Sequence, residues 1–437
     1  MASPVKLLRE LIALPSVNPA FLPGRGDLTG ERRVADFLAS TADRAGLELK
    51  WQEVFPGRSN LPIHLTPAGG KARRRILLAP HMDTVGVDGE ARFRPVVKGG
   101  RLHGRGACDT KGSIAAYLAA LLELSISGPR PRETEIILTA LVDEENNQSG
   151  SRALVGQFSS LAPIGGEGRG EGARCRGNDA VHSASTPPPH PNPLPQWGRG
   201  NGKARRKFTA DLAIVGEPTR CKVITAHKGD LWLRLTTHGM AAHGSKPHLG
   251  RNAIHAMAAV VDLLETEYAA TLERRTHPLL GHATVNVGTI TGGKQPNIVP
   301  DRCEILIDRR TLPGETRAQV FAELRALLAR LGVRSDLADG VDADLTDTKN
   351  DLCPALETDP GLPLVRQLMR CAGQRRPQGV HYFSDAAVLA SGGIPSVLLG
   401  PGDIAQAHTA DEWIELTQLE RATRLLVKFL QIGRAHV

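Results

Sequence analysis

Short apolar runs alternate with polar clusters along most of this chain. Residues 76–79 are apolar and end at Pro80, which has no N–H to continue a ladder. His81-Met82-Asp83 follows at once. Residues 136–142 are a second apolar run, and it empties into Asp143-Glu144-Glu145. A third, residues 212–215, leads to Gly216-Glu217-Pro218, and a fourth, near 397–399, precedes a loop holding His408. Runs this short, bounded by turn residues, predict buried strands. Between them the glycine-punctuated stretch 104–112 carries Asp109 and opens an apolar helical run over 114–124.

The remaining pattern fills in an α/β fold. Apolar spacing predicts helices over 5–14 and 31–45, and strands over 47–54 and 63–65. Strand, turn, strand, helix and strand over 76–142 favour a sheet covered on both faces. From 221 to 336 the order changes. Strand 230–237, helix 252–268, strands 284–291 and 302–310, helix 316–331 and a short strand near 335–337 read β-α-β-β-α-β, a ferredoxin-like split. Helix 363–372 and strand 393–399 then resume the first unit. The expected organisation is a catalytic domain over 1–220 and 337–437 interrupted by a small α+β domain over 221–336. Residues 165–207 break the pattern: they are rich in Gly, Arg and Pro, lack periodicity, and are expected to be a disordered insertion.

The polar clusters lie at or just past strand ends, which is where open α/β sheets bind ligands. Two His, an Asp and several Glu gathered there suit a divalent metal site with mixed nitrogen and oxygen donors, zinc being the usual occupant. His81 and Asp83 are two residues apart, so extended backbone points both to one side. Asp83 could then orient the His81 ring, but only through a further bend or turn.

Charge and cysteine usage narrow the field. The formal net charge is +8 over 437 residues. Residues 165–207 hold eight basic and three acidic residues, so most of the excess lies in the atypical segment. No basic strands interleaved with aromatics appear, which argues against nucleic acid. No run of about 18 apolar residues is present to span a membrane, and the first residues lack the apolar core of a secretory signal. The six cysteines form no C-x-x-C pair and read as reduced thiols of a cytoplasmic protein.

Five motifs taken together resemble the family of two-zinc deacylases and exopeptidases, which includes acetylornithine deacetylase, succinyl-diaminopimelate desuccinylase, aminoacylase and glutamate carboxypeptidase. They are His81-Met82-Asp83, Gly106–Gly112 around Asp109, Asp143-Glu144-Glu145, Gly216-Glu217-Pro218-Thr219, and Ala407-His408-Thr409 with Asp411-Glu412. The resemblance covers nearly the whole chain outside 165–207. It implies a mixed-sheet zinc-exopeptidase-like catalytic domain with an inserted lid and dimerisation domain. By motif, Asp109 would bridge two divalent metal ions, zinc or alternatively cobalt. His81 and Glu217 would complete one site, Glu145 and His408 the other. Asp83 would support His81, and Glu144 would be the general base. A cis peptide after Asp109 is also implied.

The same resemblance makes His243, in Gly239–Pro247, a lid histidine that reaches a partner subunit's site and stabilises an oxyanion, which implies a homodimer. Asn297 and Arg310 fall at substrate-contact positions, and Ser384 at an acyl pocket. Arg310 is preferred over Arg309 because alternation aims the two oppositely. An arginine suits a substrate carboxylate. Residues 216–219, 226–229, 308–314 and 400–408 look most like acetylornithine deacetylase, so the expected reaction is hydrolysis of an N-acyl amino acid, N-acetylornithine first. A desuccinylase, a dipeptidase or carboxypeptidase, and a non-catalytic binding relative are the alternatives. Lengthening a surface loop costs little entropy. Deleting 165–207 should therefore leave activity intact, and a folded but inactive deletion variant would refute this.

Overall fold

The computed structural model describes residues 3–126, 128, 130–157, 208–334, 342–348 and 353–431. The expected insertion at 165–207 and the expected strand at 335–337 lie outside them. The described residues form a mixed α/β structure with a ten-stranded sheet and a separate four-stranded one.

Four parallel strands build the middle of the large sheet, in the order Thr134–Ala140, Arg74–Ala79, Leu212–Val215 and Ser396–Leu398. Arg58–Leu65 adds antiparallel on one side and Ile224–His227 on the other. The continuous apolar runs are explained by burial on both faces. Ile76, Leu78, Ile136, Leu138, Leu212 and Ile214 point into one core. Leu77, Ala79, Ile137, Ala213 and Val215 point into another on the opposite face. Helices Pro4–Ile12, Lys111–Ile126 and Leu416–Leu430 cover the first face, and Asp385–Ser391 covers the second. Lys111–Ile126 is buried nearly all round, so it carries no amphipathic stripe.

The small sheet runs in the order Thr284–Gly292, Arg302–Thr311, Gly229–His238 and Asp342–Asp347, all antiparallel. Helices Ala253–Leu263 and Arg317–Arg334 complete the expected β-α-β-β-α-β order. Asn252 caps the first of these, its side chain accepting from the backbone N–H of Ile254 and His255. The single helix expected to Tyr268 instead passes through a π-turn at Leu264–Tyr268 into Ala269–Glu273.

Strands near both expected limits of the small unit, 221–336, pair in different sheets. Ile224–His227 pairs within the large sheet, and Asp342–Asp347 pairs within the small one. The chain therefore passes from one sheet to the other through a single residue, Lys228. A β-carbon on Gly229 would meet Thr311 Oγ1 at 2.2 Å and Ala355 N at 2.7 Å, so the position just past this crossing admits no side chain. Strands Ile224–His227, Leu356–Glu357 and Gln378–Val380 and helix Leu416–Leu430 were not foreseen; the short strands are fixed by neighbours distant in sequence.

No helix of the described residues is long and apolar enough to cross a membrane. The five described cysteines are free, four of them buried; Cys175 lies outside the described residues. Leu78 is wholly buried at the centre of the parallel strands. Leu78→Ala should cost about 2–5 kcal/mol, read as a lowered urea midpoint with unchanged slope.

Candidate metal centre

The carboxyl ends of the four parallel strands open onto one place. Arg74–Ala79 delivers His81 and Asp83, Thr134–Ala140 delivers Asp143 to Glu145, and Leu212–Val215 delivers Glu217. His408 comes from the loop after Ser396–Leu398 and Asp109 from the loop before Lys111–Ile126. Asp143 and His408 both adopt left-handed backbone, φ 64° and 59°, which turns each chain sharply at the site. The peptide between Asp109 and Thr110 is cis.

Two overlapping groups result. His81, Asp109 and Glu217 have ligand atoms within 4.8 Å of one another, and so do Asp109, Glu145 and His408. Asp109 belongs to both and divides its oxygens between them. Oδ1 lies 3.1 Å from His81 Nε2, and Oδ2 lies 3.3 Å from His408 Nε2. His408 Nε2 is also 3.1 Å from Glu145 Oε2. The first group is buried, whereas the His408 side chain is 55% exposed. One flank of the centre is therefore open.

The donors fit divalent cations on two counts. Glu145 Oε1 and Glu217 Oε1 are buried with no hydrogen-bond partner, an arrangement native proteins rarely leave uncompensated. The carboxylates also crowd one another. Burial, then Asp109, lifts the Glu145 carboxyl to about 7. Burial, then the same aspartate, raises Glu217 well above its usual range. Buried anions so close need positive charge to stay ionised.

Glu144 is buried beside this group, and burial pushes its carboxyl well above the ordinary range, with Glu217, Asp385 and Glu145 adding to the rise and His81 opposing it. Asp83 is held by three donors: Asn18 Nδ2 at 2.8 Å and the backbone N–H of Glu144 and Glu145, both at 3.1 Å. His81 Nδ1 is 3.0 Å from the Asp83 carbonyl oxygen and 3.5 Å from its Oδ1. The further bend that an Asp83–His81 contact needs is thus present.

Sequence reasoning missed the frame behind these residues. Asn18 Nδ2 also donates to Asp143 Oδ1 at 2.9 Å. Arg58 grips Glu31 with two bonds of 2.7 and 2.6 Å and lies 3.3 Å from Asp143. Asn18 stands beside Pro19, a turn signal, and nothing local marks the other two. Glu31 and Arg58 look like surface charges until the fold buries the first and half-buries the second.

The other expected site residues belong to neither donor group. His243 is exposed, with Nδ1 2.7 Å from Ser245 Oγ. Asn297 is exposed, and its carbonyl accepts from Gly244 N at 2.7 Å. Arg310 is half-buried against Asp308, 2.9 Å away, and Asp230, 3.6 Å away. Arg309 faces the opposite way, wholly buried and bonded to Glu315 at 2.7 Å. Ser384 is wholly buried, 3.1 Å from His227 Nε2, and caps the helix that follows.

Fold and site together define a hydrolase that works through metal ions. The chain belongs to Peptidase family M20/M25/M40, whose sequence profile matches residues 77–432. It is 27% identical over 434 residues to acetylornithine deacetylase of Proteus mirabilis, covering 98% of this chain and 96% of that one. It is 28% identical over 403 residues to acetylornithine deacetylase of Myxococcus xanthus, covering 90% of each. Among solved structures, a tripeptidase from Staphylococcus aureus superposes with a TM-score of 0.69 at 18% identity, over 99% of this chain and 98% of that one. A dinuclear metal-binding peptidase of the M20 family from Bacillus subtilis superposes with a TM-score of 0.62 at 12% identity, over 98% and 97%. These last two likenesses concern the fold.

Bonds to Asp109 and then Glu145, against partial burial, raise His408 from its ordinary 6.5 to about 10. In chelator, the stabilisation from its protonated form is complete below pH 6.5 and is lost as pH climbs to about 10. The gap in unfolding midpoint between the parent chain and His408→Gln should shrink across that window. A constant gap would contradict these ion pairs.

Proposed function

We propose that this chain hydrolyses the amide bond of an N-acyl amino acid, with N-acetylornithine the leading substrate. The observation that carries the reading is the Asp109 carboxylate, one oxygen in each of two donor groups. In this reading His81, Asp109 and Glu217 hold one divalent ion, and Asp109, Glu145 and His408 hold a second. Imidazole and carboxylate donors suit zinc first and cobalt next. Bound there, the ions would supply Lewis acidity toward the amide carbonyl and toward water.

The chain's own groups do the rest. Glu144 takes the proton of the attacking water and returns it to the departing amine. Burial raises its carboxyl above the ordinary range, which makes its carboxylate a stronger base than an exposed one. Asp83 holds the His81 ring and, through the N–H groups of Glu144 and Glu145, the adjoining turn. We assign Arg310 to the substrate carboxylate and Asn297 to a neighbouring contact. Ser384, wholly buried with its hydroxyl bonded to His227, is assigned to the layer behind the acyl pocket and not to a substrate contact. His243 is exposed on the small unit, which supports its assignment to the oxyanion of a second copy's site in a homodimer.

The names of the full-length relatives support acetylornithine over the desuccinylase and peptidase alternatives, which would use the same centre with a different pocket. A non-catalytic relative is disfavoured because every position of both donor groups and Glu144 is filled. Amine release from a panel of N-acetyl, N-succinyl and dipeptide substrates, with and without chelator, tests the reading. N-acetylornithine should be cleaved fastest and chelator should abolish turnover. Glu144→Ala should keep its metal content and lose at least about 100-fold in kcat. Normal turnover in that variant would remove Glu144 from the mechanism.

A further inference from the structure

Glu412 is four residues past His408, yet its side chain belongs to the Asp109 loop. It is buried, 3% exposed. Oε1 accepts from the backbone N–H of Cys108 at 2.8 Å and of Asp109 itself at 3.0 Å. Oε2 accepts from Gly106 N and from Arg105 Nη1, both at 2.8 Å. Gly104 N donates to the Glu412 carbonyl at 3.0 Å. Strand Trp413–Glu415 then pairs with Arg101–His103, just before that loop.

One carboxylate thus ties together the two loops that carry Asp109 and His408. No comparable bond from Glu412 reaches the segments that carry His81, Glu145 or Glu217 among the described residues. The loops it joins supply two of the three donors of the open group but only one of the buried group. Gly106 adopts φ 80°, and a β-carbon there would meet Lys111 Cδ at 2.8 Å, so the loop has little room to settle elsewhere.

We propose that Glu412, braced by Arg105, is a positioning residue that sets the separation of Asp109 from His408 and thereby the affinity of the open donor group for its ion, leaving the buried group largely unaffected. This rests on the two-ion reading above. Groups that orient metal ligands typically control about 10- to 100-fold in metal affinity. Here that effect falls on one of two ions.

The experiment is a zinc titration of the chelated full-length chain by calorimetry, with bound zinc counted by elemental analysis after dialysis. The parent chain should bind two ions. Glu412→Gln keeps the shape but loses the negative charge and one acceptor, because its amide nitrogen cannot accept from Gly106 or Arg105. It should bind the first ion as the parent does and the second about 10- to 100-fold more weakly, retaining near one zinc after dialysis. Glu412→Asp should restore part of the second affinity. If Glu412→Gln does not fold, Arg105→Lys, which leaves all the backbone bonds to Glu412, decides the matter with a smaller loss at the second ion. Two ions bound with unchanged affinity, or both weakened equally, would overturn the proposal. A parent chain that binds fewer than two ions would overturn the two-ion reading instead.

Discussion

Crowding of negative charge governs this molecule. Asp109, Glu145 and Glu217 meet beside Glu144 in a largely buried space, where water cannot screen them and each makes its neighbour harder to ionise. Two imidazoles relieve part of that repulsion. What remains is a demand for cations, and the surrounding architecture keeps the demand from being relaxed by movement. A carboxylate free to swing into solvent would do so. These are denied that route because each ends a strand buried on both faces or a loop bonded down on several sides.

The sheet explains how widely separated residues come to share one centre. Parallel strands all present the same end, so their exit turns converge without any one turn needing length. The order of the four central strands places the Glu144 turn and the Glu217 turn on either side of His81. Asp109 enters from a loop facing them and completes both groups. The side chains behind, Asn18, Arg58 and Glu31, bond the loop holding Asn18 and the start of helix Arg32–Asp43 to the Glu144 turn. Removing one partner from such a buried set leaves the other's charge uncompensated, so the frame is constrained as tightly as the ligands.

Much of this was readable in the residues. Four apolar runs each ended in acid or imidazole, and that repetition announced both the sheet and the edge that bears the site. The β-α-β-β-α-β order was equally plain, because its long strands alternate and its helices are periodic. Short strands were not. Ile224–His227 has four residues and owes its place to Leu398 and to Gln378–Val380, which no local pattern announces. Asp342–Asp347 is acidic and unlike a strand, so no local pattern announced it either. Glu412 was noticed only as part of a motif. That its carboxylate turns back to a loop some 300 positions earlier is a fact of tertiary structure.

Lys228 alone separates the strand that ends at His227 from the one that begins at Gly229, and it is fastened through Nζ to the His282 carbonyl at 2.6 Å. At this crossing, one of two between the sheets, no longer linker separates the strands. The His227 ring is in turn 3.1 Å from the Ser384 hydroxyl, at the amino end of the helix that starts at Asp385. A run of hydrogen bonds therefore leads from the crossing into the interior behind the two donor groups.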